Sequence, residues 1–360
     1  MAYRLGGGRS IRLSYGGAGL RLSSLGLNPY DRLYAPPPLL PVSCGGLVLK
    51  RIPVGVAFVL LAVGGLVACS SADAVRTKVA TCSTARPLTA GTTSQTITSG
   101  GRTRDYVLHV PPGYEPTSRT PLVVLFHGLG GDPKSVIRTT GMAAAADAQN
   151  AILVAPLGRG RVSRWNFRSP KSDTGSDVAF VRDLVKEVKG NACIDTSQVY
   201  AAGFSNGSAL TLALACDGSM GFAAYAAVSG PYFSPGCENA QAASILYFHG
   251  MKDTTVPYEG AETVVGHLPP VNETMFNWAT HGACPASGAK TTATPDVRHF
   301  SWRSCRSSTS VDIYVIVDGV HGWPGGGPMS PGRTSRTKDS PVNATALIWK
   351  FFERHAPGGQ

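Results

Sequence analysis

At 360 residues the chain is long enough for one large α/β domain or two small ones, and an apolar fraction of 43% rules out wholesale disorder. The formal net charge of +11 is unevenly spread: residues 1–68 carry seven basic side chains (Arg4, Arg9, Arg12, Arg21, Arg32, Lys50, Arg51) against one acid, Asp31. The remainder is only mildly basic and has no zinc-finger spacing, RNP-like aromatic run or basic helix, so the charge does not read as a nucleic-acid footprint.

In chain order, residues 1–49 are rich in Gly, Arg, Leu and Pro and precede an export-type signal whose charged region should be short. They read as a leader extension or a mis-called start. Residues 50–68 follow as the signal itself. Lys50-Arg51 flanks an apolar run from Pro53 to Ala68 that is short for a membrane-spanning helix, which wants about 20 residues. Leu66-Val67-Ala68-Cys69 resembles the bacterial lipoprotein signal, in which the cysteine becomes the lipidated N-terminus. This places Cys69 at a lipid anchor on the outer face of the cell membrane. Residues 69–95, rich in Ser, Thr and Ala, read as a tether, and residues 96–360 as the catalytic domain.

Beyond Cys44 and Cys69 six cysteines remain, which in an exported chain suggests three disulfides with 15 possible connectivities. Proximity favours Cys216–Cys237 and Cys284–Cys305. No Cys-x-x-Cys pair is present to suggest a zinc site.

The domain alternates strand-like and helix-like stretches. Strands are predicted at Tyr106–Val110, Leu122–Phe126, Ala151–Ala155, Gln198–Ala202, Ala223–Ser229, Ser244–Phe248 and Val311–Val317, after an entry strand before residue 100. Helices are predicted at Gly141–Asn150, after the cap Asp177, at Ser208–Cys216 and at Ala344–His355. Such alternation implies an α/β fold with a mostly parallel sheet covered on both faces. Gly322–Pro341 reads as an irregular loop.

The chemistry centres on Gly203-Phe204-Ser205-Asn206-Gly207, placed where a strand ends and a helix begins. That turn is sharp enough to need glycine two before and two after the serine, and it lifts the Ser205 hydroxyl out at the sheet's C-terminal edge. A serine nucleophile needs a base, and the base an orienting acid. Loops after later strands offer Asp253, a few residues past Phe248, and His321, after Val317. The order Ser205, Asp253, His321 is that of α/β-hydrolases. Asp318 reads as a turn residue beside the histidine loop, and His249, His281, His299 and His355 are weaker candidates for the base. The backbone N–H of Asn206 supplies one oxyanion donor. The glycine-rich loop His127-Gly-Leu-Gly-Gly131 supplies the other, with Leu129 N–H preferred over Gly128; His127 reads as a brace for that loop.

His-Gly-Leu-Gly-Gly, Gly-Phe-Ser-Asn-Gly-Ser, His-Gly-x-x-Asp-x-x-Val-Pro-Tyr and Val-His-Gly-Trp-Pro-Gly together resemble the polyhydroxybutyrate depolymerase and feruloyl esterase family, over about residues 95–355. The resemblance implies an α/β-hydrolase fold, ester hydrolysis through an acyl-serine and no cofactor. It also puts Trp165 and Trp323 at aromatic positions near the substrate cleft. A residue departs from the family's usual Gly-Gly-His: here Gly319-Val320-His321. The expected partner is an ester, small or polymeric: a hydroxyalkanoate, or a feruloyl or acetyl group on plant polysaccharide. A different class, a non-catalytic surface-binding lipoprotein on a hydrolase scaffold, does not need all three groups of the triad.

Overall fold

Leu122-Val-Val-Leu-Phe126 is apolar on both sides of its alternation, so it is stable as a strand only where both faces are covered. The computed structural model describes Cys82 and residues 87–167, 177–234, 237, 241–263, 266–285, 289–328 and 337–358, all within the compact unit Ala74–Gln360. In it this segment is β3 (Thr120–Phe126), and alternate side chains enter different cores: Leu122, Val124 and Phe126 on one face, Val123 and Leu125 on the other. Each such buried side chain stabilises the fold by about 1.5–3 kcal/mol. The leader 1–49, the signal 50–68, Cys69 and most of the tether lie outside the described residues.

Around β3 the chain builds a sheet of ten described strands. It opens with the hairpin β1 (Gly91–Ser99) and β2 (Arg102–Val110), continues with β4 (Ile152–Pro156), β3, β5 (Ile194–Phe204), β6 (Ala224–Val228), β7 (Ile245–Gly250) and β12 (Val311–Ile316), and ends with β11 (Val297–Trp302) and β10 (Ala289–Ala293). From β4 to β12 neighbouring strands run parallel, while the two hairpins at the edges pair antiparallel. A small separate hairpin joins β8 (Ala261–Thr263) to β9 (Gly266–Leu268).

Helices α3 (Asp177–Asn191), α4 (Asn206–Asp217) and α5 (Val271–His281) contribute to one core. Helices α1 (Pro133–Thr140), α2 (Met142–Ala148) and α6 (Ala344–Arg354) contribute to the other. Every predicted strand and helix is present, several longer at their ends. The edge pair β10–β11 and helix α5 were not anticipated. Asp177 opens α3, and its carboxylate accepts from Arg104 at 2.8 Å and from the Asn166 amide at 2.6 Å. That ion pair, with Arg104 lying 3.6 Å over the Phe180 ring, fastens the loop after β4 to the body.

Three disulfides join Cys216 to Cys237, Cys284 to Cys305, and Cys82 to Cys193. The first two are the pairings that proximity favours. Among the described residues no helix is long and apolar enough to cross a membrane.

Candidate active site

Strand β5 delivers Ser205 to the C-terminal edge of the sheet, and α4 starts at the next residue. The backbone at Ser205 takes φ 53° and ψ −118°, a left-handed conformation that costs a side-chain-bearing residue about 1–3 kcal/mol. The turn holds because its flanks are bare. A Cβ on Gly203 would overlap the Gly207 carbonyl, and one on Gly207 would lie 2.5 Å from the carbonyl oxygens of Phe126 and His127. Strain at one residue is thus imposed by close packing of its neighbours.

Asp253 and His321 come from the loops after β7 and β12, which are parallel neighbours in the sheet. His321 Nδ1 donates to Asp253 Oδ2 at 2.7 Å, and its Nε2 lies 3.0 Å from the Ser205 hydroxyl, placed to accept that proton. The other Asp253 oxygen accepts the amides of Thr255 and Val256, each at 2.8 Å. Burial alone would push this carboxyl up, but the His321 hydrogen bond and charge, with the Val256 amide, outweigh it and hold the group below its ordinary value. The acid therefore stays ionised and faces one ring nitrogen.

Behind it stands His249, a residue that the sequence only marks as bordering a strand. Its ring is fully buried, accepts from the Tyr247 hydroxyl at 2.8 Å and donates through Nε2 to the Val256 carbonyl at 2.8 Å, with Asp253 Oδ2 at 3.5 Å. Burial pushes its pKa down to about 4, so the ring is neutral and closes the turn that presents Asp253. Asp318 is an exposed turn residue whose carboxylate pairs with Lys252.

Facing the serine is the loop after β3. A Cβ on Gly128 would come 3.3 Å from that of Ser205, so this backbone touches the serine. Within it the Gly128 carbonyl accepts from His127 Nδ1 at 2.7 Å and from the Gly131 amide at 3.0 Å. Carbonyl and N–H of one trans peptide point opposite ways, so the Leu129 amide is turned out of the turn. His127 Nε2 accepts the Gly158 amide at 2.9 Å, and burial lowers the ring's pKa, so it braces two loops in its neutral form. At the first turn of α4 the Asn206 side chain is engaged by the Trp165 amide at 2.7 Å, leaving its own backbone amide at the helix start.

The two tryptophans expected at a cleft are in the interior. Trp165 is 3% exposed, with its Nε1 donating to the His127 carbonyl and its ring edge against Phe126. Trp323 is wholly buried beside α6, with Nε1 on Thr345. Neither offers a ring face to a substrate, so the expectation of substrate contact is corrected: they support the loops of Ser205 and His321 from behind.

Packed against the glycine loop is a tight hairpin, Arg159–Arg164, closed by two backbone hydrogen bonds of 2.9 Å. Ser163 accepts the Gly130 amide at 2.7 Å through its carbonyl and donates to the Gly131 carbonyl through its hydroxyl, so the hairpin is fused to the glycine loop. Val162 at its tip and Leu129 beside it are 57% and 60% exposed.

The family model described as Esterase PHB depolymerase matches residues 104–270. NocK of Nocardia uniformis subsp. tsuyamanensis, which carries the name esterase, is 33% identical over 263 residues, covering 66% of this chain and 75% of NocK. The chain belongs to the PHB depolymerase family of esterases. It is a carboxylic ester hydrolase of the α/β-hydrolase fold. Feruloyl esterase C of Emericella nidulans is 29% identical over 256 residues, covering 69% of this chain and 83% of that protein. Among solved structures, acetyl xylan esterase from Aspergillus awamori shares the fold with a TM-score of 0.51 at 17% identity, covering 64% of this chain and 94% of that one.

Proposed function

We infer that this member of the esterase family is exported and works through Ser205 as nucleophile, His321 as general base and Asp253 as orienting acid. The observation that carries the reading is the unbroken chain from the Ser205 hydroxyl through His321 (3.0 Å) to a buried, amide-bonded Asp253 (2.7 Å), set at the start of α4. As Ser205 Oγ adds to the ester carbonyl, its proton passes to His321 Nε2, and Asp253 stabilises the imidazolium. The oxyanion is met by the amides of Asn206 and Leu129. His321 then protonates the departing alcohol, and a water that it deprotonates releases the acid from the acyl-serine.

A fluorophosphonate probe tests this, since only an activated serine reacts. Labelling of the wild type that is absent from Ser205→Ala is the expected result. No labelling of either would favour a non-catalytic binding role. For the ester itself, the family description supports short hydroxyalkanoates, while relatives named feruloyl esterase C support a second reading as a feruloyl or acetyl esterase of plant polysaccharide. Turnover of a 3-hydroxybutyrate oligomer against methyl ferulate decides between them. The disulfides favour an oxidising compartment. The run Leu66–Cys69 supports an anchor on lipidated Cys69, and release from membranes in Cys69→Ser checks it.

A further inference from the structure

The hairpin Arg159–Arg164 has a feature that folding alone does not explain. Arg159 and Arg164 are bonded to each other through both backbone groups, so they are directly opposite and project their side chains from the same face. Like charges in that position destabilise a strand pair. A third cation, Arg161, sits on the intervening turn. Among the described residues none of the three guanidinium groups has an acidic or hydrogen-bonding partner, and Arg161 and Arg164 are exposed. The acid at the start of α1, Asp132, is engaged as the helix cap by the Ser135 amide at 2.9 Å.

Their place in the fold is equally specific. Arg164 is followed by Trp165, whose amide is held by the residue next to the nucleophile, and Ser163 is bonded into the glycine loop that touches Ser205. The exposed apolar side chains of Leu129 and Val162 lie on the same rim, Val162 within 3.6 Å of where a Cβ on Gly130 would stand. Beside the loop that touches Ser205, the hairpin thus sets a short apolar surface next to three cations that have no acidic partner among the described residues. Guanidinium forks match carboxylates in geometry as well as charge.

We propose that the 159–164 hairpin selects esters that also carry a carboxylate, with Arg161 and Arg164 binding the anion while the hydrocarbon between the two groups lies on Leu129 and Val162. The inference rests on Ser205 being the esterase nucleophile. It singles out carboxylate-ended oligomers of hydroxy acids, in which an apolar backbone separates each scissile ester from a free acid terminus.

The test compares monomethyl adipate with methyl hexanoate, equal in chain length and differing in the terminal carboxylate. For the wild type the ratio of kcat/KM values, anionic over neutral, should exceed one by about tenfold at low salt and shrink as ionic strength rises. In the double variant Arg161→Gln/Arg164→Gln the ratio should fall to about one or below, and Arg164→Glu should lower it further. Because the readout is a ratio within each variant, a general loss of folding or activity cancels. A wild-type ratio at or below one, or a ratio that the double variant leaves unchanged, overturns the proposal. Failure to hydrolyse either ester or p-nitrophenyl butyrate is a different result: it overturns the nucleophile assignment and takes the anion preference with it.

Discussion

Two regions of the molecule each line up a hydroxyl, an imidazole and a carboxylate, and their distances barely separate them. Ser205, His321 and Asp253 do so at 3.0 and 2.7 Å. Thr92, His109 and Asp147 do so at 2.7 and 2.8 Å. The surroundings differ. Thr92 and His109 are cross-strand partners within the β1–β2 ladder, and Asp147 on α2 has a side chain 38% exposed. Ser205 stands on a left-handed turn at a helix start, and the Asp253 carboxylate is fully buried with two backbone amides on it. The first set braces an edge hairpin against a helix. The second sets a hydroxyl at the start of a helix, and it keeps the acid charged and fixed. What sets the Ser205 group apart is the structure built around its hydrogen-bond chain, not the chain itself.

That contrast is broken most directly at the hydroxyls. Ser205→Ala should lower kcat for p-nitrophenyl butyrate by about 10⁴-fold or more with the fold intact by circular dichroism. Thr92→Ala should keep kcat/KM within about twofold and lose about 1 kcal/mol of stability in urea titration. Comparable losses of turnover in the two variants would erase the distinction. At the acids the expected gap is smaller: Asp253→Asn should cost about 10³–10⁴-fold by holding His321 in the wrong tautomer, whereas Asp147→Asn should leave steady-state rates unchanged.

The smallest effect concerns pH. His249 is held to about 4 by burial, against roughly 6.5 in the unfolded chain. Between those values unfolding takes up a proton that the folded ring refuses. Its contribution is therefore full above pH 6.5 and declines as the pH falls toward 4, by about 3 kcal/mol. Asp253, held below its ordinary value, adds a loss at still lower pH, as its folded form protonates. Burial also lowers His127 and His355, so His249→Gln should reduce the slope of urea stability between pH 7 and 4.5 and leave a remainder. An unaltered slope would place the sensitivity elsewhere.

Much of this was legible before any coordinates. Strands buried on both faces write unbroken apolar runs, as at Leu122–Phe126, and the nucleophile turn writes its glycines because backbone contacts forbid a Cβ. Asp253 and His321 can be picked out as candidates because the loops carrying them follow identifiable strands, and the structure brings both together with Ser205. The tryptophans were not: an indole next to a catalytic loop can face inward or outward, and here Thr345 and the His127 carbonyl draw both N–H groups into the core. Nor was the acid's support, since nothing local to His249 reveals that its ring closes onto Val256. The edge hairpin β10–β11 has no continuous apolar signature, because an outer strand needs only partial covering.

The Cys82–Cys193 bond has a mechanical consequence. Cys193 lies just before β5, and Ser205 just after it, so twelve residue steps at about 3.3 Å each put up to roughly 40 Å between the bond and Ser205. Cys82 is therefore bonded to the body at the end of β5 opposite Ser205. A pull on the chain at Cys82 is carried through a covalent bond into the central strand, bypassing every loop that shapes the site.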